Sequence, residues 1–283
     1  MILNLTPIIE QLKSDPFSHQ QHSPLYVEIA QKLLTGVSDC YAKSTTPQIK
    51  IDQDISFYLP FYNMGAINTT HLFGIDEVII LSFYSANKNK YKTVLDLGAN
   101  IGLHSIALDK LGYDVTCFEA DPDTYKILNS NLKRNGCFKV NSVNAAAASF
   151  NKKTEFTRVC GNLTGSHLSG AKENPYGKLE CFEVDAKNIG KIAHKFDLIK
   201  IDIEGQEADV FCSIPPEVIT NIDFMMEING DKNAIAISEY ADQVGMKILL
   251  QKTGWSQSKS LAELPRSHRD GSIFITSKSA VPW

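Results

Sequence analysis

A chain of 283 residues has room for one large α/β domain with an additional segment, and two domains of equal size are not expected. Hydrophobic residues make up 43% of the chain and charged residues 21%, a balance that argues against the disordered, fibrous and membrane-embedded classes. The net charge of -4 gives no basic surface for a polyanion, so a small or neutral ligand is favoured and nucleic acid is not expected as a partner.

The N-terminus carries no recognisable targeting signal. Residues Met1 to Gln11 mix apolar and polar side chains and lack the basic region and the small-residue cleavage site of a signal peptide. No apolar run approaches the ~20 residues of a membrane span. Scattered cysteines without a CxxC pair indicate reduced thiols. We therefore expect a cytoplasmic protein without an integral membrane segment, and nothing in the sequence predicts its oligomeric state.

Residues 1–71 are predicted to form an N-terminal helical accessory segment in front of a domain that covers residues 72–283. Apolar periodicity predicts two helices in this segment, at Pro7–Lys13 and Leu25–Gly36. The alternation of apolar and polar residues in Ile49–Leu59 predicts a short strand pair. A further helix is predicted at Leu72–Ala86.

From Thr93 onward, predicted strands and helices alternate. Such alternation predicts a Rossmann-like α/β fold, with a mostly parallel seven-stranded sheet flanked by helices. The predicted strands are Thr93–Leu97, Asp114–Glu119, Lys139–Asn144, Lys153–Arg158, Leu179–Val184, Phe196–Ile201, Phe224–Ile228, Met246–Gln251 and Ser272–Thr276, of which the last two are expected to form an antiparallel hairpin. The predicted helices are Gly102–Leu111, Pro122–Asn135, Glu207–Cys212 and Asn233–Val244.

The strongest local signal is a buried strand that contains Asp96 and continues into a glycine-rich turn and a helix. Gly98 and Gly102 permit a tight turn and the close approach of a ligand, and ligands of open α/β sheets bind at the carboxyl ends of strands. A nicotinamide dinucleotide would require G-x-G-x-x-G, but Asn100 and Leu103 occupy two of those glycine positions. The spacing favours S-adenosylmethionine, with Asp96 receiving its amino group, over an NAD-dependent oxidoreductase.

The next predicted strand supports this interpretation. It ends in Glu119, about twenty positions beyond the turn, where a carboxylate can accept hydrogen bonds from both ribose hydroxyls. Asp121, just before a proline, is predicted to cap the following helix. Ala120, Asn144 and Ala145 are predicted to lie beside the cofactor, where small residues leave room for an adenine ring. An ordinary buried turn explains the last two equally well.

With these residues in view, the chain resembles the FkbM family of class I S-adenosylmethionine-dependent methyltransferases across residues 72–276. The most diagnostic feature is a K-I-D-x-E-G motif that begins at Lys200. The chain departs from the family at Ala120, where FkbM-like sequences often have proline. The resemblance implies an O-methyltransferase that acts on sugar hydroxyls in glycans, lipopolysaccharide, capsule or glycosylated metabolites. The carrying segments are Leu95–Leu108, Phe118–Pro122, Val143–Ala146 and Asp197–Glu207.

The K-I-D-x-E-G motif also supplies candidate catalytic residues. An alcohol is a poor nucleophile near neutral pH, so a general base or a metal would assist its methylation. Alternation along an extended strand would place Lys200, Asp202 and Glu204 on one face. We predict Asp202 as the base, Glu204 as a substrate-binding or structural partner, and Lys200 as a charge that holds the carboxylates ionised. The alternative is a structural ion pair between Lys200 and Glu204, with Glu204 capping the following helix.

Glu227 follows a neighbouring strand and is predicted to complete an acidic substrate site. Together with Asp202 and Glu204 it offers oxygen ligands for a divalent cation, which is not favoured because the chain has no short ligand loop.

Histidines and arginines supply the remaining candidates. His167, in a polar loop, is the second candidate base, whereas His104 is expected to pack or hydrogen bond inside the first helical turn. Arg266 and His268 are candidate contacts for a phosphate or an acidic sugar, although such charge is more often solvated surface. A non-catalytic binding module on a methyltransferase fold is the last alternative.

Overall fold

The computed structural model describes residues 1–171, 177–279 and 283. Its α-helices are α1 (Thr6–Ser14), α2 (Pro24–Lys43), α3 (Ile75–Asn87), α4 (Leu103–Leu111), α5 (Pro122–Arg134), α6 (Glu207–Phe211), α7 (Pro216–Ile219) and α8 (Asp231–Gln243). Its strands are β1 (Ile2–Asn4), β2 (Gln48–Lys50), β3 (Ser56–Tyr58), β4 (Thr93–Leu97), β5 (Asp114–Glu119), β6 (Asn141–Asn144), β7 (Ala146–Ala148), β8 (Lys152–Val159), β9 (His167–Leu168), β10 (Leu179–Asn188), β11 (Leu198–Ile201), β12 (Asp223–Met226), β13 (Lys247–Leu250), β14 (Ser256–Gln257) and β15 (Ile273–Thr276).

The central sheet has eight strands in the order β14-β13-β15-β12-β11-β4-β5-β6. Strands β12, β11, β4, β5 and β6 run parallel to one another, whereas β15 lies antiparallel between β12 and β13. The predicted parallel sheet and final antiparallel hairpin are therefore confirmed. The sheet has eight strands instead of seven because the two-residue β14 extends its edge.

Two predicted strands do not join the central sheet. The segments predicted at Lys153–Arg158 and Leu179–Val184 form β8 and β10, which pair antiparallel in a separate sheet of order β7-β10-β8-β9. The alternating pattern identifies a strand, but it does not say with which sheet the strand pairs, because pairing depends on distant segments. We call this second sheet the small sheet.

The N-terminal residues contain the two predicted helices and the predicted strand pair, β2 and β3. They also contain β1, which was not predicted and which pairs parallel with β2. One apolar cluster runs from Leu3 in β1 through α2 and α3 to Phe274 in β15. Most side chains of α3 are buried, because the helix packs against α1 and α2 on one side and against α4 on another, and its Phe83 contacts Phe274 of β15. Among the described residues, no helix combines the length and the apolarity that crossing a bilayer requires.

Candidate active site

A cavity of about 410 Å³ opens at the carboxyl ends of β4, β5, β11 and β12. This volume lies in the range of small-molecule binding sites, and strand carboxyl ends are where open α/β sheets bind ligands. One part of the cavity, here named the glycine-loop part, is lined by Gly98, Asn100, Glu119, Ala120 and Ala145. The other part, here named the acidic part, is lined by Glu77, Asp202, Glu204 and Glu227.

The glycine-rich turn is held between β5 and the loop after β11. The backbone N–H groups of Gly98 and Ala99 both donate to the carbonyl of Phe118, at 3.1 and 2.9 Å. Gly98 has φ +84°, and a Cβ at this position would lie 1.8 Å from the carbonyl oxygen of Asp202. The glycine is therefore required by packing between two loops of the protein, in addition to any contact with a ligand.

Glu119 closes the glycine-loop part at the end of β5. Its Oε2 accepts the backbone N–H of Asn100 at 2.9 Å, and its Oε1 accepts that of Asp121 at 2.9 Å. Burial raises the pKa of Glu119 to about 7. Because a carboxylate offers about four acceptor positions, two remain for hydroxyl donors of a ligand. This geometry fits the predicted binding of a ribose.

Asp96 lies behind the turn and is fully buried. Its Oδ2 accepts from the hydroxyl of Ser105 at 2.5 Å, whereas Oδ1 is buried with no hydrogen-bond partner among the described residues. A buried acceptor without a donor is uncommon in folded proteins. Asp96 does not line the cavity, and its orphaned oxygen lies 4.0 Å from Nζ of Lys200, so its binding of an ammonium group, directly or through water, stays a prediction.

Lys200 lies beneath the acidic part and does not line the cavity. It is paired with Asp96 across β11 and β4, and its Nζ lies 3.3 Å from Oδ2 of Asp202 and 4.0 Å from Oδ1 of Asp96. Burial by itself would lower the pKa of Lys200, but the charges of Asp202 and Asp96 outweigh it and raise the pKa above its usual value. The ammonium group therefore stays charged beneath the carboxylates.

The acidic part holds two further titratable groups. Burial raises the pKa of Glu227 well above its usual value, and the charges of Asp202 and Glu77 add to the shift. Nε2 of His104 lies 2.7 Å from Oε2 of Glu77, so the histidine pairs with α3 instead of hydrogen bonding inside its own helix. Although burial raises the pKa of Glu77, the contact with His104 lowers it overall.

The predicted common face of Lys200, Asp202 and Glu204 is not formed. Strand β11 ends at Ile201, and the chain then turns with φ +56° at Glu204 and +110° at Gly205. Alternation holds only along an extended strand, so it stops before Glu204. The residue that begins α6 as its N-cap is Gln206, not Glu204.

Glu207 holds this turn in place and was not among the site residues predicted from the sequence. Its side chain is fully buried, with Oε1 accepting the N–H of Gly205 at 2.7 Å and Oε2 accepting Nδ2 of Asn233 at 2.8 Å. Nδ2 of Asn233 also donates to the carbonyl of Asn229 at 2.7 Å. Burial raises the pKa of Glu207 to about 7. Only its position in the motif hinted at this role, because its side-chain partner Asn233 is 26 residues away in the sequence.

The other predicted site residues lie outside the cavity lining. Gly102 packs against Leu128, and Asn144 donates to the carbonyls of Glu119 and Ala120 at 2.9 and 3.2 Å. His167 is buried in β9, with Nδ1 2.9 Å from the carbonyl of Gly165.

Of the two predicted contacts for a phosphate or an acidic sugar, Arg266 lies away from the cavity and the side chain of His268 is not described. Nε of Arg266 lies 2.7 Å from Oδ1 of Asp231, and its Nη2 donates to the carbonyl of Leu261 at 2.9 Å. Arg266 is not among the lining residues. His268 begins a short 3₁₀ turn, and its side chain lies outside the described part of the structure.

The small sheet is fastened to the glycine-loop part by Arg158 of β8. Its Nε and Nη2 donate to the two carboxylate oxygens of Asp121 at 2.5 and 2.6 Å. Asp121 also caps α5, as predicted, by accepting the N–H of Asp123 at 2.8 Å. Phe156 and Leu168 of the small sheet line the cavity from above. Among the described residues, no group of three or more His, Cys, Asp or Glu side chains is arranged to hold a metal ion.

The strand order, with an antiparallel strand inserted beside β12, and the glycine turn followed by an acidic strand end define a class I S-adenosylmethionine-dependent methyltransferase. Residues 96–254, more than half of the chain, match the methyltransferase FkbM domain. The chain therefore belongs to the FkbM methyltransferase family, and its cofactor is S-adenosylmethionine. The alternative of an NAD-dependent oxidoreductase is not retained.

Solved structures with similar folds share little sequence with this chain. A methyltransferase from Podospora anserina, PaMTH1, solved with S-adenosylhomocysteine bound, is 12% identical over 71% of this chain and 79% of its own, with a TM-score of 0.40. A SAM-dependent methyltransferase from Agrobacterium tumefaciens is 10% identical over 83% and 71%, with a TM-score of 0.42. Precorrin-6y C5,15-methyltransferase from Geobacter metallireducens is 13% identical over 69% and 85%, with a TM-score of 0.38. No curated protein sequence matches the chain. The assignment therefore depends on the family match.

Proposed function

We propose that this methyltransferase transfers its methyl group to a hydroxyl of a sugar, in a glycan or a glycosylated metabolite. The observation that supports the proposal is the continuity of one cavity, in which the glycine-loop part adjoins a wall of carboxylates. Ionised carboxylates accept hydrogen bonds, a protonated carboxyl group such as the raised pKa of Glu227 favours can also donate one, and sugar hydroxyls do both. The small size and partial enclosure of the cavity suit positioning and the exclusion of water.

The residues around the cofactor have separable roles in this proposal. When bound, S-adenosylmethionine supplies a methyl group on a positively charged sulfur. Glu119 would bind the ribose hydroxyls, Asp96 the amino group, and the small side chains Ala120 and Ala145 would leave room for the adenine ring. Asn100 and Asn144 would keep the two turns in shape, because each makes a hydrogen bond between turn segments.

Asp202 is our proposed general base. It lines the cavity with about a quarter of its side chain exposed, and Lys200 lies 3.3 Å behind it. The carboxylate of Asp202 therefore has the ammonium group on one side and the cavity on the other, where it can accept the proton of a hydroxyl. Glu204 and Glu227 would bind other hydroxyls of the substrate.

The proposed function is tested with an extract of cells that lack the gene, because that extract retains the unmethylated substrate. Purified protein and S-adenosylmethionine labelled on the methyl group are added, and the products are hydrolysed and analysed by mass spectrometry. We expect the label as a methyl ether on a sugar. Label in protein or nucleic acid, in a base-labile ester, or in no product at all would contradict the proposal.

The role of Asp202 is tested with Asp202→Asn in the same assay. We expect transfer to fall by roughly a hundredfold or more, the usual contribution of a general base, while S-adenosylhomocysteine binds with unchanged affinity in calorimetry. Asp185→Asn is the matched control, since Asp185 is an exposed carboxylate of the small sheet. Full transfer by Asp202→Asn would remove Asp202 from the mechanism.

A further inference from the structure

The N-terminal residues reach the cavity in and just before a short 3₁₀ turn, Thr69–Phe73. His71 of this turn is exposed and lines the cavity, next to Ile67 and Leu72. All three residues precede the segment that matches the family, residues 96–254. Part of the cavity wall is therefore supplied by sequence outside the methyltransferase match.

A hydrogen bond fixes which ring nitrogen of His71 carries the proton. The backbone N–H of Asn68 donates to Nδ1 of His71 at 3.0 Å. A backbone amide can only donate, so Nδ1 must present its lone pair, and the neutral ring carries its proton on Nε2. Nε2 has no hydrogen-bond partner among the described residues. His71 therefore offers the cavity a donor and not a base.

The turn that carries His71 is rigidly held. Thr69 is fully buried, and its hydroxyl donates to the carbonyl of Pro60 at 2.9 Å while accepting the N–H of Tyr62 at 2.7 Å. Phe73, at the other end of the turn, is buried in the apolar cluster. Nearby, the N–H of Ala66 donates to the carbonyl of Gly161 at 2.6 Å, which ties the same segment to the loop after β8. A donor held this way loses little entropy when it binds a ligand.

The rest of the cavity wall complements this donor. Glu77, Asp202, Glu204 and Glu227 line the acidic part. An ionised carboxylate only accepts hydrogen bonds, whereas a protonated carboxyl group, which the raised pKa of Glu227 favours, can also donate one. Hydroxyl groups both donate and accept, so a molecule with several hydroxyls matches these carboxyl groups and the donor of His71 together. We propose that His71 is a substrate-binding residue that donates a hydrogen bond from its Nε2–H to an oxygen of a polyhydroxylated acceptor. The proposal rests on the proposed function and adds the residue by which the N-terminal segment would recognise the substrate.

The proposal is tested by measuring methyl transfer as a function of the amount of extract from cells that lack the gene. His71→Phe keeps a planar ring but removes Nε2–H, and we expect it to raise the half-saturating amount of extract by about tenfold, the effect of one lost hydrogen bond. His71→Gln should recover most of the affinity, because glutamine at this position can accept from Asn68 and still present an N–H donor. His194→Phe is the control, because His194 is exposed and does not line the cavity.

Binding of S-adenosylhomocysteine, measured by calorimetry, separates substrate recognition from damage to the fold. We expect its affinity to be the same in the wild type, His71→Phe and His71→Gln. Two results would overturn the role of His71 while leaving the proposed function intact. One is an unchanged half-saturating amount of extract in His71→Phe, and the other is a loss of cofactor affinity equal to the loss of transfer. Absence of transfer by the wild type would overturn both proposals.

Discussion

At the scale of single residues, this site contains carboxyl groups that ionise near neutral pH. Glu119 and Glu207 are each held by backbone N–H donors, yet burial raises the pKa of each to about 7. Both are bound to turns with positive φ values, at Asn100 and Gly205. The shape of the cavity therefore depends on the ionisation of two side chains, only one of which lines it.

Replacing Glu119 by alanine should weaken the binding of S-adenosylhomocysteine by roughly a hundredfold, since two hydrogen bonds to a charged group would be lost. Isothermal titration calorimetry measures this change. Glu155→Ala, on the exposed face of β8, is the control and should bind like the wild type. Unchanged affinity in Glu119→Ala would show that the ribose does not bind at the end of β5.

The ionisation of Glu207 should be visible in the pH dependence of stability. Its pKa rises from 4.5 to about 7 on folding, so its contribution to stability is fully present below pH 4.5 and is lost as the pH rises through 7. We expect the free energy of unfolding of the wild type to fall relative to Glu207→Gln by on the order of 3 kcal/mol across this range. Urea denaturation at several pH values measures it. Parallel curves for the two proteins would contradict the shift.

At the scale of structural elements, the small sheet is the feature that distinguishes this chain from a bare doubly wound sheet. It is joined to the cofactor side of the cavity by Arg158, whose Nε and Nη2 donate to the two carboxylate oxygens of Asp121. The strength of that contact raises the pKa of Arg158 further above its usual value. Because Phe156 of the same strand lines the cavity, a shift of the small sheet would change the size of the cavity.

Arg158→Ala should therefore loosen the small sheet and destabilise the fold. The substitution leaves Asp121, which is 3% exposed, as a buried carboxylate without its partner, and breaking such a pair costs about 3 kcal/mol. Denaturant unfolding measures the loss, and limited proteolysis should cut within residues 152–188 sooner than in the wild type. The matched control is Lys153→Ala, whose ion pair with Glu183 is exposed on the same sheet and should matter little.

At the scale of the whole molecule, the N-terminal segment and the sheet share one apolar core. His19 binds both sides of this boundary, since Nε1 of Trp255 donates to its Nδ1 at 2.7 Å and its Nε2 donates to the carbonyl of Leu12 at 2.9 Å. Burial lowers the pKa of His19 to about 4. The ring of Trp283 packs edge-on against His19 and at a tilt against Trp255, with ring centroids 4.6 and 4.5 Å away.

The two tryptophans, the only ones in the sequence, both report on this boundary. We expect unfolding followed by tryptophan fluorescence to coincide with unfolding followed by circular dichroism, because a shared core unfolds cooperatively. Coinciding transitions would mean that the N-terminal segment and the central sheet unfold together. The division of the chain after residue 71 stays a prediction from the sequence. A fluorescence transition at lower denaturant would show that the segment detaches first.

The sequence by itself determined the elements of the central sheet and the cofactor turn. Strand β4 and strand β5 begin and end where the pattern predicts, because a buried strand is a local apolar run and the turn after it needs glycine or asparagine. The same local chemistry identified Asp121 as a helix cap. Such features depend on residues that are close together in the sequence, so the sequence alone is enough to predict them.

Only the tertiary structure decided which side chains share the cavity. It brought Glu77 and His71 to Asp202 and Glu227, and it left Lys200 beneath the lining and His167 outside it. These arrangements depend on contacts between segments tens to more than a hundred residues apart, and on where a strand stops being extended. A sequence pattern gives the period of a strand, but neither its last residue nor its neighbour in space. The sequence therefore predicted that Asp202, Glu204 and Glu227 belong to the site but not how they are arranged.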